Sequence, residues 1–261
     1  MTTLRRLASQ CSLIGPMHVN TSVSPVSSWL RLRALLGALC VLFALWAVQQ
    51  PELGAADESE LARLVLSPRM LDAAEKKYGT RARQRLENWQ KVAQSSRDRP
   101  DSAKLKQVND FFNQTPFVSD QEHWGVNDYW ATPTEMLATN GGDCEDFAIA
   151  KYFTLLMLGV SMDKLKITYV KARNPNWTPT SQAHMVLTYY ADINAVPLVL
   201  DNLIPEIRPA SQRPDLTPVY AFNGAGLWLA KERGQGRPVS GGSGNIGFWR
   251  ELTARIGKEF D

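Results

Sequence analysis

Hydrophobic and polar positions divide the chain into a helical half followed by a strand-rich half. Ser67 and Pro68 mark a helix start, with the proline in the first turn. Residues 69–78 keep helical spacing up to Gly79, and Thr80 to Gln94 forms a second amphipathic stretch. Pro100 breaks the chain, and Ser102 is placed to cap a third helix with Leu105, Val108, Phe111 and Phe112 on its core face. Periodicity fades over residues 115–140, apart from a short helix expected from about Thr134. Gly141 and Gly142 then lead into a stretch apolar on most sides that ends at Gly159, the pattern of a buried helix.

Beyond it the period becomes that of strands. They are expected at Leu165–Lys171, Met185–Tyr190 and Val196–Leu200, with a fourth inside Val219–Leu229. Residues 231–245, with glycine concentrated around 234–244, read as a flexible loop, and Phe248–Phe260 as a terminal helix. Helices followed by an antiparallel sheet give an α+β domain. No internal repeat is present.

The first residues follow another rule. Arg31 and Arg33 precede an apolar run from Ala34 to Val48, and Gly54, Ala55 and Ala56 offer a cleavage site before Asp57. This is the build of a secretory signal. The run is shorter than the roughly 20 residues that span a bilayer, so an uncleaved anchor is the alternative. The stretch before Arg31 is long for a signal, and Met17 offers a second start. The predicted organisation is therefore a signal with an N-terminal extension over 1–56 and one exported domain over 57–261.

Loss of residues 1–56 changes the charge. Four of 29 basic residues and one of 26 acidic residues leave with them, so 25 of each sign remain (29 − 4 and 26 − 1). A neutral domain does not advertise a nucleic-acid partner. Cys11 and Cys40 leave too, making Cys144 the sole cysteine, either a buried small hydrophobe or a reactive group.

Its setting favours reactivity. Cys144 stands where a glycine-rich loop becomes a helix, and N–H groups at a helix start favour a thiolate and can donate to an oxyanion. Gly141 and Gly142 leave room for a substrate backbone. His184 opens one strand and Asp201 ends the next, so pairing of those strands lets Asp201 reach the ring and gives nucleophile, base and orienter. His18 lies in the segment that leaves, and His123 reads as a surface residue. Asp143, Glu145 and Asp146 crowd the nucleophile and oppose a thiolate. They serve either as helix-start caps or as oxygen ligands of a calcium ion. Asn127 and Asp128 are further oxygen donors that nothing in the sequence places nearby. Trp124 and Trp130 are candidate docking anchors on a partner.

Residues 124–155, WGVNDYWATPTEMLATNGGDCEDFAIAKYFTL, closely resemble the LapG-type bacterial transglutaminase-like cysteine proteinases. The likeness includes FFN at 111–113, AHMVL at 183–187 and LDN at 200–202, and covers roughly residues 60–230. The Gly-rich stretch at 234–244 is not part of it. The resemblance implies a transglutaminase-like or papain-like core and a Cys144–His184–Asp201 triad. It also implies a calcium requirement met in part by Asp143 and Glu145. It implies a periplasmic endopeptidase that cuts the N-terminal region of a large surface adhesin at a paired-alanine site, releasing the adhesin and the biofilm cell. It implies restraint by the periplasmic domain of an inner-membrane cyclic di-GMP receptor, with the nucleotide bound by the receptor. Rival readings are an amine-acceptor transglutaminase using the same three residues, a non-catalytic binding module and a structural role in the envelope.

Overall fold

A computed structural model describes residues 66–173, 181–229 and 239–260 of the chain. The predicted signal and apolar run therefore lie outside the described residues. Among the described residues no helix is long and apolar enough to cross a membrane.

The helical half follows its local signals closely. Helix α1 (Pro68–Tyr78) is capped by Ser67, whose hydroxyl accepts the Met70 N–H at 3.2 Å, and it ends at Gly79 in a positive-φ conformation (φ 87°). Helix α2 (Thr80–Ser96) follows at once, and its Trp89 indole donates to Thr154 at 3.0 Å in the core. Helix α3 (Asp101–Phe112) begins one residue before the expected cap: Pro100 holds the cap position without a side-chain bond. Asp101 is instead tied to Lys164 and Tyr189, at 3.0 and 2.8 Å. The weakly periodic stretch holds a one-turn helix α4 (Asp120–His123) and then α5 (Pro133–Thr139), closed by a reciprocal cap between Thr132 and Glu135. Helix α6 (Cys144–Met157) is buried on nearly every side, as its apolar pattern requires.

Among the described residues six antiparallel strands form one sheet: β1 (Leu165–Ala172), β2 (Gln182–Tyr189), β3 (Leu198–Leu200), β4 (Arg208–Pro209), β5 (Leu216–Asn223) and β6 (Gly226–Leu229). Their spatial order is β4-β3-β2-β1-β5-β6. Strand β2 starts three residues before its expected start, so His184 lies inside it. The single strand expected in Val219–Leu229 is a hairpin. Gly224 and Ala225 form its turn, and the Asn223 side chain accepts the Ala225 and Gly226 N–H groups at 2.8 and 3.2 Å.

Helix α6 packs against β2 and β1 on one side and α3 and α5 on the other, giving one core layer between helices and sheet. Helix α7 (Gly247–Phe260) closes the fold beside residues 129–132. Its Arg255 donates to the Trp130 carbonyl and stands 4.7 Å from the Tyr129 ring centre. Residues 239–245, expected within the flexible loop, form an ordered turn, with Val239 donating to the Leu227 carbonyl at 2.8 Å. The remainder of that loop lies outside the described residues.

Candidate active site

Connectivity brings the start of α6 to the start of β2. Helix α6 passes into β1 through a short turn, and Leu165 at the start of β1 pairs with Tyr189 at the end of β2. The opposite end of β2, with His184, therefore lies at the end of the layer where Cys144 begins the helix. Cys144 is fully buried there.

His184 and Asp201 meet directly. Nε2 of His184 lies 2.8 Å from Oδ1 of Asp201, and both residues are buried. The pairing follows from register: Leu187 faces Leu200 across β2 and β3, and Asp201 is the next residue where β3 ends. Burial pushes the Asp201 carboxyl up, but His184 and Arg213 together outweigh it and hold it below the usual carboxylate range. An ionised Asp201 fixes the ring proton on Nε2 and leaves the lone pair on Nδ1.

Three residues not foreseen from sequence hold Asp201 in place. Arg213 donates to its Oδ2 at 2.7 Å and is itself braced by Asp215. Asn113, from the FFN motif, and Lys151, two turns along α6 from Cys144, donate to its backbone carbonyl at 2.9 and 3.1 Å. Lys151 is fully buried, and burial pulls its amine down to about 7 against the field of Asp201.

Cys144 opens α6 with its side chain buried. The expectation of a sole cysteine concerns a chain without Cys11 and Cys40, which lie outside the described residues. The sulfur stands 3.0 Å from Oε2 of Glu145.

The acidic cluster is larger than the sequence indicated. Carboxylate oxygens of Asp120, Asp128 and Glu145 lie within 4.8 Å of one another, as do those of Asp120, Asp143 and Asp146. Asp128 is thus brought to Glu145, and Asp120 joins from α4. Burial pushes these groups up, Asp120 and Asp128 to about 6, Glu145 to about 8, Asp143 and Asp146 well above the usual range, and repulsion from neighbouring carboxylates adds to it at all but Asp128.

Asp146 has a structural occupation, accepting the Ala131 and Asp143 N–H groups at 2.7 and 3.2 Å. Among the described residues, Oδ1 of Asp120, of Asp128 and of Asp143 is each buried without a hydrogen-bond partner. Orphaned carboxylate oxygens this close together suit a hard cation, which takes oxygen ligands at about 2.3–2.6 Å. The residues fit calcium: Asp120, Asp128, Asp143 and Glu145 would hold it, with Asp146 bracing the loop.

The two glycines also have a steric role within the fold. A Cβ on Gly141 would fall 2.8 Å from the His123 ring and 2.9 Å from Val118, and one on Gly142 would fall 2.7 Å from the Asp146 carboxylate. His123 is half-buried, with its ring packed against this loop and 4.7 Å from that of Trp124. Trp130 is buried between Phe222 and Phe248, which removes it as a docking anchor. Trp124 is half-buried against Tyr129.

A family model described as bacterial transglutaminase-like cysteine proteinase matches residues 75–216, more than half of the chain. No curated protein sequence matches. Solved structures of Legionella pneumophila LapG are similar in sequence and fold. One is 41% identical over 72% of this chain and 96% of its own, with a TM-score of 0.60. A calcium-bound form is 42% identical over 72% and 97%, with a TM-score of 0.61. An EGTA-treated form is 41% identical over 72% and 96%, with a TM-score of 0.62.

Proposed function

The chain belongs to the bacterial transglutaminase-like cysteine proteinases, and from that premise we propose that it is a calcium-dependent endopeptidase with Cys144 as nucleophile, His184 as base and Asp201 as orienter. The observation that carries the reading is the buried His184–Asp201 pair at the end of the layer where Cys144 begins its helix. Substrate, compartment and partner follow from the sequence resemblance. The substrate is the N-terminal region of a large surface adhesin, cut in the periplasm at a paired-alanine site so that the biofilm cell is released. The inhibitory partner is the periplasmic domain of an inner-membrane cyclic di-GMP receptor.

Nδ1 of His184 takes the Cys144 proton, and the thiolate attacks the scissile carbonyl. A C–S bond forms, and the carbonyl electrons move to oxygen, facing N–H groups at the start of α6. Collapse breaks the C–N bond, and His184 returns the proton to the leaving amine. Water, deprotonated by His184, then resolves the thioester to acid and thiol. Asp201 keeps the ring tautomer and orientation throughout. Calcium, when bound by Asp120, Asp128, Asp143 and Glu145, supplies positive charge that offsets the carboxylates beside the thiolate.

The test is cleavage of the N-terminal region of the host's large adhesin under reductant and calcium, with the new N-terminus read by mass spectrometry. A cut between two alanines supports the reading. An intact adhesin alongside incorporation of a labelled amine into a glutamine peptide supports the transglutaminase instead.

A further inference from the structure

Oδ1 of Asp201 takes His184 and the Leu203 N–H, at 2.8 and 3.0 Å, and Oδ2 takes Arg213 at 2.7 Å. Each carboxylate oxygen is thereby committed, and the plane of the group is fixed. Arg213 is itself immobilised. It is buried, its N–H closes a short turn onto the Ala210 carbonyl at 3.1 Å, and Asp215 grips Nε and Nη2. One guanidinium therefore bridges a buried catalytic carboxylate and a half-exposed brace, a geometry that suits its fixed fork of donors.

We propose that Arg213 is a positioning residue of the catalytic pair, holding Oδ2 of Asp201 so that Oδ1 stays on Nε2 of His184. The inference rests on the catalytic reading of His184 and Asp201. The other groups facing Asp201 do not duplicate this role. Lys151 from α6 and Asn113 from α3 bind its backbone carbonyl, and His184 from β2 is the group being oriented. Without Arg213 the carboxylate is left with a bare buried oxygen. It then turns toward another donor or takes up a proton at higher pH, because one of the two partners that hold it low is gone.

The test uses the full chain, labelled with ¹⁵N-histidine and held reduced with calcium, as wild type, Arg213→Met, Arg213→Lys and His184→Gln. The His184→Gln spectrum identifies the downfield Nε2–H signal of His184. Arg213→Met is expected to lose or shift that signal. It should also lower kcat on the adhesin fragment by about 10- to 100-fold, the usual cost of removing an outer partner of an oriented histidine. KM should change by less than about 3-fold. Arg213→Lys, which keeps the charge, is expected to restore the signal and most of kcat. A folded Arg213→Met with an unchanged His184 signal overturns the proposal. So does an Arg213→Lys chain as impaired as Arg213→Met with the signal intact in both, the mark of a purely structural role. If wild type leaves the adhesin uncut while the His184 signal responds as expected, the substrate reading fails and the role of Arg213 stands.

Discussion

Replacing Asp201 by asparagine is the most informative single change, because the structure dictates which way the amide must face. The carboxylate accepts three bonds: His184 and the Leu203 N–H on Oδ1, and Arg213 on Oδ2. Asparagine offers one acceptor and one donor. The charge-assisted bond to Arg213 is the strongest, so the amide oxygen turns to Arg213 and the NH2 group faces His184. That donor demands a lone pair on Nε2 and drives the ring proton to Nδ1, the nitrogen that must act as base. The wrong tautomer in a buried triad costs up to about 10⁴-fold in kcat, or about 5 kcal/mol of barrier. Stability falls as well, by about 3 kcal/mol, since a buried charged pair is broken while Arg213 keeps Asp215. Because the Asp201 carboxyl is held low in the folded state, its contribution is present above the unfolded value and lost as pH falls through the folded one. The stability deficit of Asp201→Asn should therefore shrink below about pH 4. Single-turnover cleavage and urea melts on the same samples separate the two effects. A kcat within about 3-fold of wild type, in folded protein, would refute the tautomer assignment.

Other consequences are equally open to measurement. Calcium should raise the melting temperature more at pH 8 than at pH 5, since burial pushes Asp120 and Asp128 up to about 6 and Glu145 to about 8, and protons compete with the ion. A calcium-independent melting temperature at pH 8 would return the cluster to a capping role. Lys151 is held low by burial, so the unfolded chain binds its proton over a range where the folded chain does not, and this residue makes stability rise between about pH 7 and 10. Lys151→Met should flatten that rise, and an unchanged slope in pH-dependent melts would contradict the burial. Gly141→Ala places a methyl 2.8 Å from His123 and should cost about 1–3 kcal/mol in a denaturant melt. A neutral result would mean that the wall of the site yields easily.

The helices were legible because their signals are local: Ser67 with Pro68, Gly79, and the near-continuous apolar run after Cys144. The pairing of His184 with Asp201 was legible because two short strands separate them by only one hairpin. The residues that sequence reasoning missed act across long separations. Asn113 reaches Asp201 over 88 positions and Lys151 over 50, and neither motif containing them announces a polar target. Arg213 sits in an irregular turn with no periodicity to read. Asp120 and Asp128 join the cluster only because the chain between them folds back, the Asp120 carboxylate accepting the Tyr129 N–H at 2.6 Å. The division of β5 from β6 did carry a local signal, the Asn223–Gly224 pair, inside a run long enough to read as one strand.

The central claim is that Cys144 cleaves a peptide bond with the help of a cation held beside it. The most direct measurement compares wild type with Cys144→Ala on the N-terminal region of the host's adhesin, under reductant, with calcium and with chelator. Cleavage by wild type in calcium alone is the expected result. Cleavage by Cys144→Ala, or wild-type cleavage undiminished by chelation, would contradict it.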